Sequence, residues 1–139
     1  MTLHRTPVPG SRSPISRAVE VGTGRRLVVF SAQMPPVVKA DADPRSLEAF
    51  GDTRQQTEGC LERIETVLRE AGLTLDDLVG VRVYLVADPR TGAMDFDGFN
   101  AGWARFFERT AAHPTRTVVQ VAGLVNPGWL LELEPTAAR

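Results

Sequence analysis

Pro114-Thr115-Arg116-Thr117-Val118-Val119-Gln120-Val121 and the return run Trp129-Leu130-Leu131-Glu132-Leu133-Glu134 decide how this chain folds. Both alternate with the period of a strand, and their β-branched and aromatic content favours strands. In the first, Thr115, Thr117, Val119 and Val121 share one side, while Arg116, Val118 and Gln120 share the other. In the second, Trp129, Leu131 and Leu133 face one way and Leu130, Glu132 and Glu134 the other. Gly123 and Asn126-Pro127-Gly128 supply turn chemistry between them. Paired directly in an even register, the two strands place Arg116 and Glu132 on one face, with Cβ atoms roughly 5–8 Å apart. Opposite charges on apolar strands are costly to bury unless they meet each other or a ligand. A structural ion pair is the commoner outcome, so the rest of the chain has to decide between the two.

Outward from this pair, the chain reads as one domain, 1–139, with residues 1–15 as an irregular arm rich in Pro, Ser and Arg. Val19-Glu20-Val21 and Leu27-Val28-Val29-Phe30-Ser31 flank Gly22-Thr23-Gly24-Arg25-Arg26 and predict a β-hairpin. Cys60, Leu61, Ile64, Val67, Leu68 and Ala71 form one apolar stripe, which predicts a helix over 53–71 closed by Gly72. Cys60 lies on that stripe and reads as a small core residue. Thr74-Leu75-Asp76-Asp77 reads as a capped turn, and Val81–Val86 as a strand. A second helix over 95–109, capped by Asp95, carries Phe96, Phe99, Trp103, Phe106 and Phe107 on its apolar side, with Asn100 at the margin. Two helices reached by right-handed crossovers fall on the same face of one sheet. The strands are apolar on both faces, so the uncovered face predicts a homo-oligomer packed sheet to sheet, with a cleft between subunits.

The bulk properties remove several function classes. With 42% apolar and 24% charged residues, the composition is that of an ordinary globular domain. A net charge of −1 offers no electrostatic footprint for nucleic acid or an anionic membrane. No apolar run is long enough for a membrane span. Cys60 alone cannot form an internal disulfide, which fits the reducing cytoplasm. His4 and His113 are the only histidines and belong to no cluster at metal spacing, so no metal site is expected. Neither a nucleophile elbow nor a Walker loop is present. What remains is a guanidinium on a rigid strand, suited to bidentate capture of a carboxylate. A glutamate nearby can hold or deprotonate water, and small polar groups such as Ser31 and Asn100 complete the set.

Ser13-Pro14, Ser31-Ala32-Gln33-Met34-Pro35, Ala71-Gly72-Leu73-x-Leu75-x-Asp77-Leu78-Val79, Phe106-Phe107, Pro114-x-Arg116-Thr117 and Leu131-Glu132-Leu133-Glu134 occur in this order. The set resembles the YjgF/RidA enamine/imine deaminase family across essentially the whole chain. The resemblance implies an α+β, chorismate-mutase-like mixed β-sheet with two helices on one face, assembled as a homotrimer with three intersubunit clefts. It implies cofactor-free hydrolysis of reactive 2-imino and 2-enamino acids to 2-keto acids and ammonia. Matched position by position, Arg116 binds the substrate carboxylate, Glu132 positions the attacking water, and Ser31 and Asn100 line the cleft. Three neighbours of the site depart from the family pattern. Ile15 stands where many members have tyrosine, Ala32 replaces a glycine where backbone approaches ligand, and Val118 stands where some members carry cysteine. These changes bear on substrate preference and on turnover. They leave open a trimeric small-carboxylate binder without turnover, or a specialised variant with another substrate. RNA cleavage, also attached to the family's name, is disfavoured by the near-neutral charge and the lack of a histidine pair.

Overall fold

The computed structural model describes residues 3–139. Eight regular elements follow one another: β1 (His4–Pro7), β2 (Ser16–Glu20), β3 (Leu27–Val29), α1 (Thr53–Glu70), β4 (Leu78–Leu85), α2 (Phe96–Phe107), β5 (Thr115–Gln120) and β6 (Leu131–Ala138). Single 3₁₀ turns stand at Leu47–Ala49 and Leu75–Asp77. The expected helices form. Asp52 caps α1 through a reciprocal box with Gln55, and Gly72 follows it at φ +74°, the left-handed position that glycine adopts without strain. Asp95 caps α2 by accepting from the Gly98 amide at 2.9 Å. The helix stops at Phe107, two residues short of the periodicity-based end.

The main sheet has the order β3-β6-β4-β5. β4 and β5 are parallel, joined by the crossover through α2, and β6 runs antiparallel to β4 and β3. Leu61, Ile64 and Leu68 of α1 and Phe99, Trp103 and Phe107 of α2 pack on Val81, Val83, Leu85, Leu131 and Leu133 in one buried cluster. Each such side chain contributes about 1.5–3 kcal/mol when fully buried, so this layer is the main stabilising element. Both helices therefore lie on one face. Across the sheet Leu27, Val29 and Val119 remain 58%, 74% and 41% exposed, and this open face is the one expected to need a covering partner.

Three expectations are corrected. β5 and β6 do not pair: β4 stands between them, because the parallel crossover claims one edge of β4 and the ten-residue connection 121–130 carries the chain over to the other. The hairpin between β2 and β3 is also absent. β2 pairs with β1 instead, and β3 pairs with β6, its far end fixed by reciprocal Arg26–Arg139 backbone hydrogen bonds. The arm is consequently not irregular throughout. His4–Pro7 is a strand too short to show alternation in sequence, while residues 1 and 2 lie outside the described part. Arg5 ties this ribbon to the main body by donating to the His113 and Asp76 carbonyls at 2.6 and 2.7 Å.

Candidate functional site

Strand register decides where the two charged residues face. Arg116 pairs with Val81, which pairs in turn with Pro135, so all three project toward the helices. Val81 and Pro135 are buried there, and α2 receives the guanidinium. The Arg116 Cζ lies 5.1 Å from the ring centroids of both Phe99 and Trp103, and 5.9 Å from that of Phe96. Asn100 Oδ1 accepts a hydrogen bond from Arg116 Nη1 at 3.0 Å. Phe96, Asn100 and Trp103 follow one another at i, i+4 and i+7, which is why one helix stripe delivers both the rings and the amide. Among the described residues no carboxylate forms an ion pair with Arg116. Burial without a counter-charge pulls its pKa down to about 10, so it is still a cation at neutral pH. A guanidinium has five N–H donors, and only one is used here. The others are free to meet an anion.

Glu132 pairs with Tyr84, one pleat out of step with Arg116, and projects from the open face. The prediction that Arg116 and Glu132 share a face is thereby overturned. Two strand spacings of about 4.8 Å and three residues of about 3.3 Å put their Cα atoms roughly 14 Å apart, on opposite sides of the sheet. Glu132 is half-buried, and desolvation raises its pKa above the ordinary glutamate value. It has no hydrogen-bond or ion-pair partner among the described residues, whereas Glu134 accepts from Tyr84 Oη at 3.1 Å and stands 3.7 Å from Arg82.

The seven residues singled out in the sequence thus fall into two groups. Arg116, Asn100, Val118 and Ile15 belong to the β5–α2 side, where Val118 and Ile15 pack against the core. Ile15 is placed beside α2 by the hydrogen bond from Trp103 Nε1 to the neighbouring Pro14 carbonyl, 3.0 Å. Ser31, Ala32 and Glu132 belong to the β3–β6 side, where Gln33 and Leu133 exchange backbone hydrogen bonds of 2.7 and 3.1 Å. Each group holds one charge that this chain leaves uncompensated. Sequence reasoning missed the aromatic shelf under Arg116, since Phe96, Phe99 and Trp103 read simply as core. The available signal was a lone Asn set among aromatics at helical spacing.

A parallel-edged mixed sheet with two helices on one face and an unpaired arginine at its edge defines a class of small α+β proteins. The family model described as Endoribonuclease L-PSP matches residues 8–139. The chain belongs to that family, the YjgF/RidA family. A RutC family protein of Pyrococcus abyssi is 32% identical over 93% of this chain and 89% of its own length. The 2-iminobutanoate/2-iminopropanoate deaminase of Salmonella typhimurium is 28% identical over 99% and 97%. Among solved structures, the Rid-family protein YyfB of Yersinia pestis superposes with a TM-score of 0.76 at 25% identity, covering 100% of both chains. Escherichia coli TdcF, crystallised with bound serine, gives 0.64 at 28% identity and covers 100% of this chain and 98% of its own. Among the described residues no helix is long and apolar enough to cross a membrane.

Proposed function

We propose that this protein hydrolyses small 2-imino and 2-enamino acids to 2-keto acids and ammonia, without a cofactor, in clefts between the subunits of a homotrimer. The observation that carries the reading is the complementary pair of uncompensated charges: a half-buried guanidinium at one sheet edge and a half-buried carboxyl group toward the other. Neither can serve the other within one chain. Packing the exposed Leu27, Val29 and Val119 face against another copy brings the Arg116 side of one subunit toward the Glu132 side of its neighbour. Arg116 then holds the substrate carboxylate in its fork, with Asn100 fixing the guanidinium. Glu132, in its deprotonated form, takes a proton from water as the oxygen adds to the C=N carbon and passes that proton to the nitrogen. Collapse of the resulting carbinolamine expels ammonia and leaves the keto acid, so one water is consumed and Glu132 is restored. Ser31 and Ala32 border the Glu132 side, and Ile15 and Val118 the Arg116 side. The relatives named as deaminases and the serine held by TdcF support a small amino-acid-like ligand.

The test supplies a freshly generated 2-imino acid and follows ammonia release. Arg116→Ala and Glu132→Gln are each expected to be inactive. When the two variants are co-refolded, random trimers regain native clefts at about a quarter of sites, and activity returns in that proportion. Activity unchanged in Arg116→Ala refutes the clamp, and failure of the mixture to recover refutes the shared cleft. Binding of 2-oxo acids with no turnover of any imine gives instead the ligand-binding reading, which the replacement of a tyrosine position by Ile15 favours.

A further inference from the structure

We infer that Arg5 is a positioning residue for the candidate site: acting through the His113 carbonyl, it sets where Ile15 and Arg116 stand; this rests on the carboxylate-binding reading above. Arg5 lies on β1, outside the sheet that carries Arg116, and its fork spans two loops. Nη2 donates to the Asp76 carbonyl, just before β4, and Nη1 to the His113 carbonyl, just before β5. The entries of the two parallel strands are thereby clipped together. Desolvation pulls the guanidinium pKa down, and the Asp76 and Asp77 carboxylates offset that only in part. A half-buried charge is a costly way to tie two neutral carbonyls unless their placement matters.

The His113 carbonyl is where this clip meets the site. It also accepts from Ser16 Oγ at 2.5 Å, so both of its lone pairs are filled, from the two strands of one ribbon. His113 Nε2 donates to the Phe107 carbonyl at 2.8 Å, which joins the same residue to the end of α2. One residue on, the Pro114 carbonyl accepts from the Ser16 amide at 2.9 Å. Ile15 is therefore pinned on both flanks. Ser16 bonds to the entry of β5, and the Pro14 carbonyl accepts from Trp103, whose ring centroid lies 5.1 Å from the Arg116 Cζ. Arg116 follows Pro114 by two residues, on a strand that has β4 on one side only. A shift of the 113–114 peptide moves that strand and its guanidinium along α2 together. Misplacing a binding group by about 1 Å costs up to about a hundredfold. Glu132 stands on β6, beyond β4, and these bonds do not extend to it. Loosening the clip therefore disturbs the carboxylate wall and spares the base.

Steady-state kinetics on a freshly generated 2-imino acid, with calorimetry on pyruvate, test the assignment. Arg5→Ala is expected to raise KM and the pyruvate Kd about tenfold and to keep kcat within about twofold of wild type. The indole N–H resonance of Trp103, told apart from that of Trp129 with a Trp129→Phe sample, should shift as its bond to Pro14 is reset. Arg5→Lys reaches one carbonyl instead of two and should recover part of the loss. Guanidinium chloride at millimolar concentration, far below denaturing levels, should recover part of it in Arg5→Ala, because a cavity of about 390 Å³ beside Arg5 opens the vacated place to solvent. Circular dichroism and the melting temperature report whether each variant is folded. A folded Arg5→Ala with wild-type KM, kcat and Kd and only a lowered melting temperature makes Arg5 a stability residue, which overturns the inference while leaving the proposed function standing. A loss that neither Arg5→Lys nor guanidinium recovers overturns it as well. If wild type neither binds a 2-oxo acid nor turns over an imine, the carboxylate site itself falls, and the inference with it.

Discussion

Replacing Arg116 by methionine separates a residue kept for binding from one kept for stability. The methionine keeps a flexible apolar stem against Phe99 and Trp103 but removes the charge. Lowering the guanidinium pKa from the ordinary arginine value to about 10 corresponds to roughly 3 kcal/mol against the charged folded form, which solvent at the open rim reduces to about 1–2. Its contacts with the rings return about 1–2 kcal/mol, and the hydrogen bond from Nη1 to Asn100 about 1. The contributions nearly cancel, so Arg116→Met should change unfolding free energy by no more than about 1 kcal/mol. Ligand binding responds differently. Loss of two charge-assisted hydrogen bonds to a carboxylate, each about 1.5–3 kcal/mol, weakens 2-oxo acid binding by about 10²–10⁴-fold. Urea unfolding and calorimetry on the same samples make the comparison. The pH dependence has a definite sign: the cation persists below pH about 10, so wild-type anion binding should hold to that point and then fall, and Arg116→Met should show no such limb. If the substitution costs more than about 3 kcal/mol of stability and leaves anion binding intact, Arg116 is a structural residue and the reasoning fails.

Other consequences can be measured separately. Gln56 is fully buried, its amide donating to the Gly51 and Gly128 carbonyls at 2.9 and 3.0 Å and accepting from the Leu130 amide at 2.7 Å. Gln56→Leu strands these backbone groups and should cost about 2–4 kcal/mol in urea unfolding. At the α1–α2 crossing, a Cβ on Gly102 would meet Thr57 Cβ at 2.9 Å and the Arg54 carbonyl oxygen at 3.1 Å, so Gly102→Ala should lower stability by about 1–3 kcal/mol in thermal melts. Sedimentation velocity should give three times the 15.2 kDa chain mass for wild type, and single chains for the double variant Val29→Asp/Val119→Asp. Glu132 holds its proton to higher pH than an ordinary glutamate, so the protonated form favours folding and that contribution is lost as pH rises through the elevated pKa. Because the base form exists only above that point, the acid limb of wild-type kcat/KM should lie above the ordinary glutamate range, and Glu132→Gln should show no activity on either side of it.

The helices and the α+β class were legible because amphipathic periodicity, caps at Asp95 and Thr74, and a glycine after α1 are local features. The candidate residues were legible in the same way, Arg116 and Glu132 being charges on apolar strands. Strand order was not. Alternation states which residues share a side of their own strand, but not which strand comes next to it. The insertion of β4 between β5 and β6 therefore reversed the expected relation of the two charges. The N-terminal pairing failed for a related reason: β1 is four residues long and gave no periodic signal, yet it takes the edge of β2 that a hairpin would have used.

By itself, then, the sequence determined two amphipathic helices, the strands they cover, and the two charges that an apolar sheet would not carry without use. Only the tertiary structure decided that these charges point away from each other and that three rings of α2 replace a counter-ion beneath Arg116. Side-chain alternation is a property of one strand, whereas the meeting of residues 16 positions apart depends on which edges remain free after the crossover has closed. That is settled by packing over the whole sheet.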